Sequence, residues 1–497
     1  MGVTNEFKLK TKHIKLTGFL LACLFFILFM VLVNFDKSHQ AAKLVAGVAI
    51  LMSVLWITEA IPLAVTSLIP LVLFPFLGLL SAEEVSRAYI NSTIFLFMGG
   101  FLIAIAMEKW GLHKRIALNL ISAFGKSPAK IIMGFMVASG FISMWISNTA
   151  TAVMILPIGL AILYKLENEF GQEKSQKFSI ALMLGIAYAC SIGGIATLIG
   201  TPPNLVFQRI YAITFPHQQQ IMFGDWMKFG VPLSLAMLIL AWFLITQVFY
   251  KSDKSLVIDA GLIKSEKKSL GKMSFEEKAV AVVFILTSLL WIFRVELNLG
   301  FAKIPGWSQL FSKSNMIDDG TVAITMGVIL FLIPVKNYQS GENFILSETA
   351  IRKIPWEIIL LFGGGFALAD GFVKSGLSEL IGNQFAGLKH FPVVMLIAAV
   401  CLVIVLLTEL TSNTATAQIV LPILASLSIE LNINPFLLMI PATIAASMAF
   451  MLPVATPPNA IVFGSQRLKV FDMLKVGIVL DLIGVVIMTV FIYFYLS

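Results

Sequence analysis

Long apolar stretches alternate with short polar segments from one end of the chain to the other. Most have the length, roughly 17 to 25 residues, that crosses a bilayer as an α-helix. The residue-by-residue alternation typical of a membrane β-barrel is absent from the sequence. The pattern therefore predicts an all-α polytopic membrane protein with about eleven transmembrane helices. Representative stretches are residues 16–34, 61–80, 228–250, 279–293, 392–407 and 474–495.

The composition supports a protein that uses lipid as its solvent. Of the 497 residues, 58% are hydrophobic and 12% are charged, whereas soluble domains carry about 25% charged residues. Cys23, Cys190 and Cys401 all lie inside apolar runs, and the five histidines are scattered. The sequence therefore supports neither a disulfide framework nor a Cys/His metal site.

The net charge of +8 comes from lysines and arginines in the short segments between apolar stretches. Such a distribution is a topology signal rather than a nucleic-acid-binding patch, so nucleic acid is excluded as a partner. The basic segments are expected to face the cytoplasm, with the protein in the plasma membrane. The N-terminus is then cytoplasmic, and an odd number of spans places the C-terminus outside. The basic segments are the N-terminal tail and residues 109–130, 165–177, 251–278, 336–353 and 467–469.

The two halves of the chain carry the same motifs in the same order, as many secondary transporters do. A glycine-rich apolar segment comes first, then an identical Ser-Asn-Thr-Ala-Thr, and then an identical Thr-Pro-Pro-Asn. Helix packing by small polar residues can explain one Ser-Asn-Thr run, but it does not explain two copies that are each followed by Pro-Pro-Asn. The paired segments are 95–112 and 360–377, 147–151 and 412–416, and 201–204 and 456–459.

The basic segment 251–278 separates the halves and is the natural linker. An odd number of spans separates corresponding loops, so the halves are predicted to cross the membrane in opposite directions, as inverted repeats. Each half is expected to contain a scaffold part followed by a transport part. The predicted parts are a cytoplasmic tail 1–15, scaffold 16–127, transport part 128–250, linker 251–278, scaffold 279–385 and transport part 386–497.

Each Ser-Asn-Thr-Ala-Thr lies inside a long apolar stretch, 131–163 or 393–427. Non-helical backbone at membrane depth must be buried in protein or line a cavity. Each stretch is therefore predicted to be a re-entrant hairpin whose polar tip lies near the bilayer midplane. Thr-Pro-Pro-Asn is predicted to break a span, because prolines remove donors and restrict the preceding residue.

The residue types at the tips suit a cation and an anion together. Serine, threonine, asparagine and carbonyl oxygens are hard ligands for Na⁺, while hydroxyl and amide donors suit a carboxylate. Ser143 precedes Ser147 by one helical turn, and Thr408 precedes Ser412 likewise. Neither tip contains lysine or arginine, so a buried dianion would need its positive charge from bound cations.

These motifs, together with Trp-Ile-Thr-Glu-Ala-Ile-Pro at 56–62, resemble those of the divalent anion/sodium symporter family of di- and tricarboxylate transporters. The resemblance extends from about residue 41 to the end of the chain. It implies an elevator transporter, embedded in the bilayer as a homodimer, with one scaffold and one mobile transport domain in each protomer.

The resemblance also implies the residues of the site, with no departure at the matching positions. The first sodium ion would be held by Ser143, Ser147, Asn148 and the Gly200 carbonyl, and the second by Thr408, Ser412, Asn413 and the Ala455 carbonyl. The substrate carboxylates would be bound by Asn148 and Thr149 and by Asn413 and Thr414, with Thr201, Thr456 and Pro457 lining the pocket.

Acidic residues in or beside apolar segments are candidates for ion sites or proton relays. Glu59, Glu108 and Glu357 sit at predicted span ends, where interfacial or helix-capping roles are expected. Glu409, four residues before Asn413, is a stronger functional candidate, but a structural bond that supports the hairpin is the preferred interpretation.

The sequence thus predicts sodium-coupled symport of C4 dicarboxylates such as succinate, malate or fumarate. A sodium-independent dicarboxylate exchanger of the same family is the nearest alternative, and citrate or sulfate stays open as substrate. An enzyme would need a nucleophile, base or metal constellation that does not emerge from the sequence. A channel would need a continuous pore, which antisymmetric hairpins do not suggest.

Overall fold

The computed structural model describes residues 2–125, 127–253, 256, 261–298, 303–336 and 342–496. Nearly all of this part of the chain is helical, which confirms the all-α prediction. Its single sheet is a small antiparallel pair in which Leu297 is opposite Ile304. Parts of the tail 1–15, of segments 109–130 and 336–353 and of the linker 251–278, and the C-terminal residue, lie outside the described residues.

The first half and the linker contain α1 (Gly2–Leu32), α2 (Gln40–Thr58), α3 (Leu63–Thr66), α4 (Ile69–Phe76), α5 (Ala82–Tyr89), α6 (Ser92–Lys109), α7 (Leu112–Ala123), α8 (Pro128–Ser143), α9 (Asn148–Phe170), α10 (Gln172–Gly194), α11 (Pro202–Thr214), α12 (Phe223–Phe243), which continues as a π-helix over Leu244–Phe249, and α13 (Gly261–Ser269).

The second half contains α14 (Phe275–Ile292), β1 (Leu297–Asn298), β2 (Lys303–Ile304), α15 (Asp319–Leu332), α16 (Glu348–Arg352), α17 (Trp356–Lys374), α18 (Leu377–Gln384), α19 (Val393–Thr408), α20 (Asn413–Leu431), α21 (Phe436–Ala445), α22 (Pro457–Phe463) and α23 (Val470–Leu496). Short 3-10 helices lie at Lys37–His39, Trp307–Leu310, Ser314–Met316 and Ala386–His390.

Nine helical segments of the described chain are long and apolar enough to cross a membrane. They include α9 and α20, which are the second arms of the two predicted hairpins. Shorter apolar helices lie at 63–76 and in α8, α15, α19 and α21. The protein is therefore an integral membrane protein, as its composition predicts.

The internal repeat is visible in local geometry. α6 passes into α7 through Gly111, and α17 passes into α18 through Gly376. Both glycines adopt the left-handed conformation, with φ of 73° and 76°, which a side chain rarely tolerates. The matched glycines of segments 95–112 and 360–377 thus make the same turn in each half.

The core of the first half is built around α10, in which every residue from Phe178 to Gly194 is buried. α10 crosses α8 at a point where an ideal Cβ on Gly193 would lie 2.2 Å from the Gly140 carbonyl oxygen. Backbone therefore packs directly on backbone at this crossing. The close approach positions the end of α8, which leads into the first Ser-Asn-Thr motif.

The hairpins and broken helices of the two halves also pack on each other. α9 and α10 contact α22, and α11 contacts α20 and α21. The Tyr188 hydroxyl of α10 donates to the Phe450 carbonyl oxygen at 2.8 Å, and Arg467 forms an ion pair with Glu167 of α9. The motif-bearing elements therefore form one contiguous body.

Candidate functional site

A cavity of about 820 Å³ lies where both hairpin tips and both helix breaks meet. One wall comes from the Ser-Asn-Thr and Thr-Pro-Pro segments of the two halves. The opposite wall comes from α2, α6 and α17, through residues such as Thr58, Phe101 and Leu361. All seven predicted substrate-binding residues line this cavity, namely Asn148, Thr149, Thr201, Asn413, Thr414, Thr456 and Pro457.

Each hairpin tip is a short turn between two helices whose motif serines act as N-caps. α8 ends at Ser143, and α9 begins at Asn148 after Ser147, whose hydroxyl accepts the Ala150 N–H at 3.2 Å. In the turn between α19 and α20, Ser412 occupies the same N-cap position in an extended conformation, but its side chain makes no capping hydrogen bond. Helix N-termini with free N–H groups therefore reach the cavity from both hairpins.

The two helix breaks are each held by the asparagine of Thr-Pro-Pro-Asn. The Asn204 amide donates to the carbonyl oxygens of Gly194 at 3.2 Å and Thr197 at 2.7 Å. The Asn459 amide donates to Ala449 and Leu452, both at 3.0 Å. These bonds give the Gly194 and Ala449 carbonyls a donor, and they add a second donor to the Thr197 and Leu452 carbonyls, which also accept the N–H groups of Gly200 and Ala455.

The asparagines 204 and 459 were not predicted as functional residues. Their only signal in the sequence is the fourth place in a motif that occurs twice. Both are fully buried, and the role that the structure reveals is to position the broken segments beside the cavity.

The predicted first sodium site is a cluster of oxygen atoms around the Asn148 amide. Its Oδ1 lies 2.5 Å from Ser143 Oγ. The same amide atom lies 3.1 Å from the Cys190 carbonyl oxygen and 3.3 Å from that of Gly200. With the amide turned over, its nitrogen would donate to these three atoms; with oxygen there, they form a hard-ligand set that suits Na⁺. The residues present therefore fit the ion.

The predicted second sodium site has the same chemistry in the other half. Thr408 Oγ1 lies 2.8 Å from Asn413 Oδ1 and 2.7 Å from the Ala446 carbonyl oxygen. The hydroxyl has one proton and can donate to only one of these oxygens. The other contact is stabilised if the Asn413 amide is turned over to donate its N–H, or if a cation is bound by both oxygens. Sequence reasoning missed the carbonyls of Cys190 and Ala446, because any residue type supplies a carbonyl.

The remaining predicted ligands surround these clusters. Ser147, Gly200, Ser412 and Ala455 all line the cavity. Ser143 and Thr408 are fully buried behind the tips and reach the site through Asn148 and Asn413. The structure thus brings all the predicted metal and substrate residues into one region.

The cavity is poor in fixed positive charge. Among the described residues that line it, none is lysine or arginine, and the charged ones are Glu59 and Glu409. Helix N-termini and hydroxyl groups are therefore the available partners for an anion. A doubly charged anion would depend on cations for most of its charge compensation.

Glu409 makes the kind of structural contact that is expected from the sequence. Its carboxylate accepts the N–H groups of Met451 at 2.7 Å and Leu452 at 2.9 Å, which ties α19 to the broken segment of the second half. The other acids lie at helix ends as expected: Glu59 caps α2, Glu108 lies in the last turn of α6, and Glu357 lies in the first turn of α17.

A helical membrane protein with a repeated hairpin and broken-helix motif around a polar cavity has the architecture of a secondary transporter. The chain belongs to the family described as the sodium:sulfate symporter transmembrane region, whose model matches residues 11–497. This match confirms the resemblance to the divalent anion/sodium symporters. It also establishes that the protein is a transporter and not an enzyme.

Named relatives match along nearly the whole chain. A protein named sodium-dependent dicarboxylate transporter SdcS from Staphylococcus saprophyticus is 43% identical over 500 residues, covering 99% of this chain and 94% of that protein. The protein of the same name from Staphylococcus aureus strain NCTC 8325 is 42% identical over 485 residues, covering 97% and 91%.

Two solved structures are similar in fold. The YdaH transporter of Alcanivorax borkumensis superposes with a TM-score of 0.56 at 15% identity, covering 85% of this chain and 88% of that chain. MtrF of Neisseria gonorrhoeae superposes with a TM-score of 0.55 at 12% identity, covering 82% of each. At such low identity these matches concern the fold alone.

Proposed function

We propose that this protein is a sodium-coupled symporter that carries C4 dicarboxylates such as succinate, malate or fumarate across the plasma membrane. The observation that carries the proposal is the pair of oxygen clusters at Asn148 and Asn413, in a cavity whose described lining contains no basic side chain. The names of the two staphylococcal relatives point to the same ion and the same substrate class.

The order of binding follows from charge. Sodium ions bind first, at Ser143, Ser147, Asn148 and Gly200 and at Thr408, Ser412, Asn413 and Ala455, and they lower the cost of burying a dianion. The substrate then takes one carboxylate to Asn148 and Thr149 and the other to Asn413 and Thr414. Thr201, Thr456 and Pro457 complete the pocket.

Transport itself would be a rigid-body shift of the two transport parts, 128–250 and 386–497, against the scaffold parts, 16–127 and 279–385. The motif-bearing elements pack on one another across the halves, as a body that moves together requires, and α11 and α20 also contact α17 and α18 of the scaffold, contacts that the shift would have to change. The scaffold would form the contact between two protomers of a homodimer. The basic segments would face the cytoplasm, with the N-terminus inside and the C-terminus outside.

Uptake of radiolabelled succinate into proteoliposomes tests the coupling. An inward sodium gradient should drive accumulation, and replacing external Na⁺ with choline should abolish it. Equal uptake in choline would refute symport and support a sodium-independent exchanger of the same family. Competition by unlabelled citrate and sulfate in the same assay decides between these anions and dicarboxylates, with sulfate of particular interest because the family description names it.

A further inference from the structure

A pair of buried acids lies beside the second predicted sodium site. Glu409 directly follows Thr408 and is 4% exposed, and Asp481 of α23 is 1% exposed. Both acids lie against the same broken segment: Glu409 accepts the N–H groups of Met451 and Leu452, and Asp481 follows by one helical turn Gly477, which packs on the Phe450 backbone. Two carboxylates buried side by side in a membrane protein are costly unless a cation or a shared proton compensates their charge.

Nothing among the described residues supplies that charge. Neither oxygen of Asp481 has a hydrogen-bond partner, and the hydroxyl of Ser447, on the neighbouring broken segment, also lacks one. Glu409 receives two backbone N–H groups, which compensate its charge in part. The ion pairs found in the described chain involve other acids, so Asp481 presents an unpartnered, buried carboxylate towards Glu409.

The first half of the molecule has no such pair at the matching places. Gly230 of α12 packs on the Ala196 carbonyl oxygen, and Gly477 of α23 packs on the Phe450 backbone. These contacts identify α12 and α23 as equivalent helices against the two broken segments. Four residues beyond each glycine stand Ser234 and Asp481.

The first half therefore shows which residue types are sufficient for packing at these two positions. The Ser234 hydroxyl donates to the Ile192 carbonyl oxygen at 2.8 Å, so this position is satisfied by a neutral residue. Glu409 likewise has a neutral counterpart, because Met144 follows Ser143 as Glu409 follows Thr408. Acids replace neutral residues at both positions of the second half. The two backbone bonds of Glu409 account for that acid in part, but no hydrogen bond accounts for Asp481.

We propose that Glu409 and Asp481 bind one further monovalent metal cation, in addition to the ions at the two motif sites, and that this ion is carried with the second hairpin. The inference rests on the proposed sodium symport. Carboxylate oxygens are hard ligands that suit Na⁺. A divalent ion would need a larger ligand set, and no group of three or more acidic, histidine or cysteine ligands occurs in the described residues.

The number of sodium ions moved with each dicarboxylate tests this site. In proteoliposomes with fixed sodium and succinate gradients and a potassium-set membrane potential, the voltage dependence of net succinate flux gives the coupling ratio. Ions at the two motif sites and the further site move one net positive charge with each dianion, so a particular voltage stops the flux. Ions at the two motif sites alone make transport electroneutral, so the flux does not depend on voltage. We expect Asp481→Ser and Glu409→Met, which install the residues of the first half, to lower that ratio by one Na⁺. Ser234→Ala, at the matching position of α12, is the control and should keep the wild-type ratio.

Each other result overturns the inference. An unchanged coupling ratio with weaker activation by sodium would mean that the acids only strengthen the neighbouring sodium site. If a pH gradient, rather than the sodium gradient, drove the additional charge moved with succinate, the ion at the acids would be a proton. If Asp481→Ser does not transport, equilibrium binding of ²²Na⁺ to purified wild type and Asp481→Asn makes the same comparison, and equal stoichiometry contradicts the site. Sodium-independent uptake by the wild type would instead refute the proposed function itself.

Discussion

Asn148 and Asn413 stand at the starts of α9 and α20, where a cation site and an anion site share one side chain. We predict that Asn148→Ala and Asn413→Ala each weaken succinate affinity about ten- to a hundred-fold. The reason is that a buried charged acceptor loses its donor at a cost of about 1.5–3 kcal/mol. Concentration-dependent uptake in proteoliposomes measures the effect.

The matched control is Asn119→Ala, because Asn119 is an exposed residue of α7 away from the cavity. This variant should transport as the wild type does. If one of the two site asparagines proves dispensable, the substrate does not bridge the two motifs, and the shared-site geometry is wrong.

Thr408 contributes a hydroxyl to the second oxygen cluster without lining the cavity itself. Thr408→Val keeps the shape of the side chain and removes this oxygen. We expect the half-saturating concentration of sodium to rise several-fold, on the order of the 1 kcal/mol typical of a lost ligand or hydrogen bond. The sodium dependence of uptake at saturating succinate measures this shift.

Thr325→Val serves as its control, since the Thr325 hydroxyl bonds within its own helix, to the Thr321 carbonyl oxygen, on the exposed side of α15. A sodium response unaffected by Thr408→Val would exclude this hydroxyl from the cation site.

The side chains around the two clusters could be predicted from the sequence because the motif is polar in an apolar setting and occurs twice. Of the main-chain oxygens, the family resemblance implied those of Gly200 and Ala455 but not those of Cys190 and Ala446. The carbonyls of Cys190 and Ala446 face the clusters only because α10 and α21 pass behind the hairpin tips. A backbone oxygen leaves no trace in residue identity, so its role depends on tertiary packing.

The broken helices depend on a single amide in each half. Asn204→Ala would leave the Gly194 carbonyl without its donor and Asn459→Ala the Ala449 carbonyl, at a cost of about 1–3 kcal/mol for each unsatisfied group, while the Thr197 and Leu452 carbonyls keep a backbone N–H. We predict a lower thermal unfolding temperature of the purified protein in the absence of substrate. Asn148→Ala should instead weaken succinate binding with little change in the unfolding temperature. Measuring both succinate affinity and unfolding temperature therefore distinguishes the asparagines of the helix breaks from those of the hairpin tips.

Unfolding temperatures of Asn204→Ala and Asn459→Ala that equal the wild-type value would show that the breaks are held by the prolines and the surrounding helices instead. The Asn119→Ala variant again provides the reference for replacing an exposed asparagine.

Element boundaries were less predictable than element types. The polar runs predicted both hairpins, and the proline pairs predicted both breaks. Length alone, however, does not distinguish α9, a hairpin arm of 23 residues, from a membrane-crossing helix. The distinction depends on where the chain turns at Ser147, which is set by capping and by contacts with the other half.

At the scale of the whole molecule, α17 and α20 form a contact between the predicted scaffold and transport parts. Gln418 of α20 donates to the Leu361 carbonyl oxygen at 2.8 Å, and an ideal Cβ on Gly365 would lie 2.6 Å from Gln418 Cγ. We predict that a disulfide between Gly365→Cys and Gln418→Cys stops succinate transport while sodium and succinate still bind. The background lacks Cys23, Cys190 and Cys401, and dithiothreitol should restore uptake.

A second disulfide within the scaffold controls for cross-linking as such. An ideal Cβ on Gly327 of α15 lies 3.5 Å from Leu102 Cβ of α6, a separation that suits a disulfide. Oxidised Gly327→Cys/Leu102→Cys should therefore transport normally. Undiminished transport by the oxidised α17–α20 pair would rule out a rigid shift and favour local gating at the hairpin tips.

The packing of α9 and α10 against α22 has a consequence for how the protein is made. When the first 250 residues have left the ribosome, the polar tip at Ser147 has no second hairpin beside it, and α22 has not been synthesised. The first hairpin therefore lacks its packing partners, in the bilayer or in the insertion machinery, until residues 413–463 have been synthesised and inserted. Two gene fragments split within the linker 251–278 and expressed together should reassemble into a working transporter, whereas either fragment alone should be degraded.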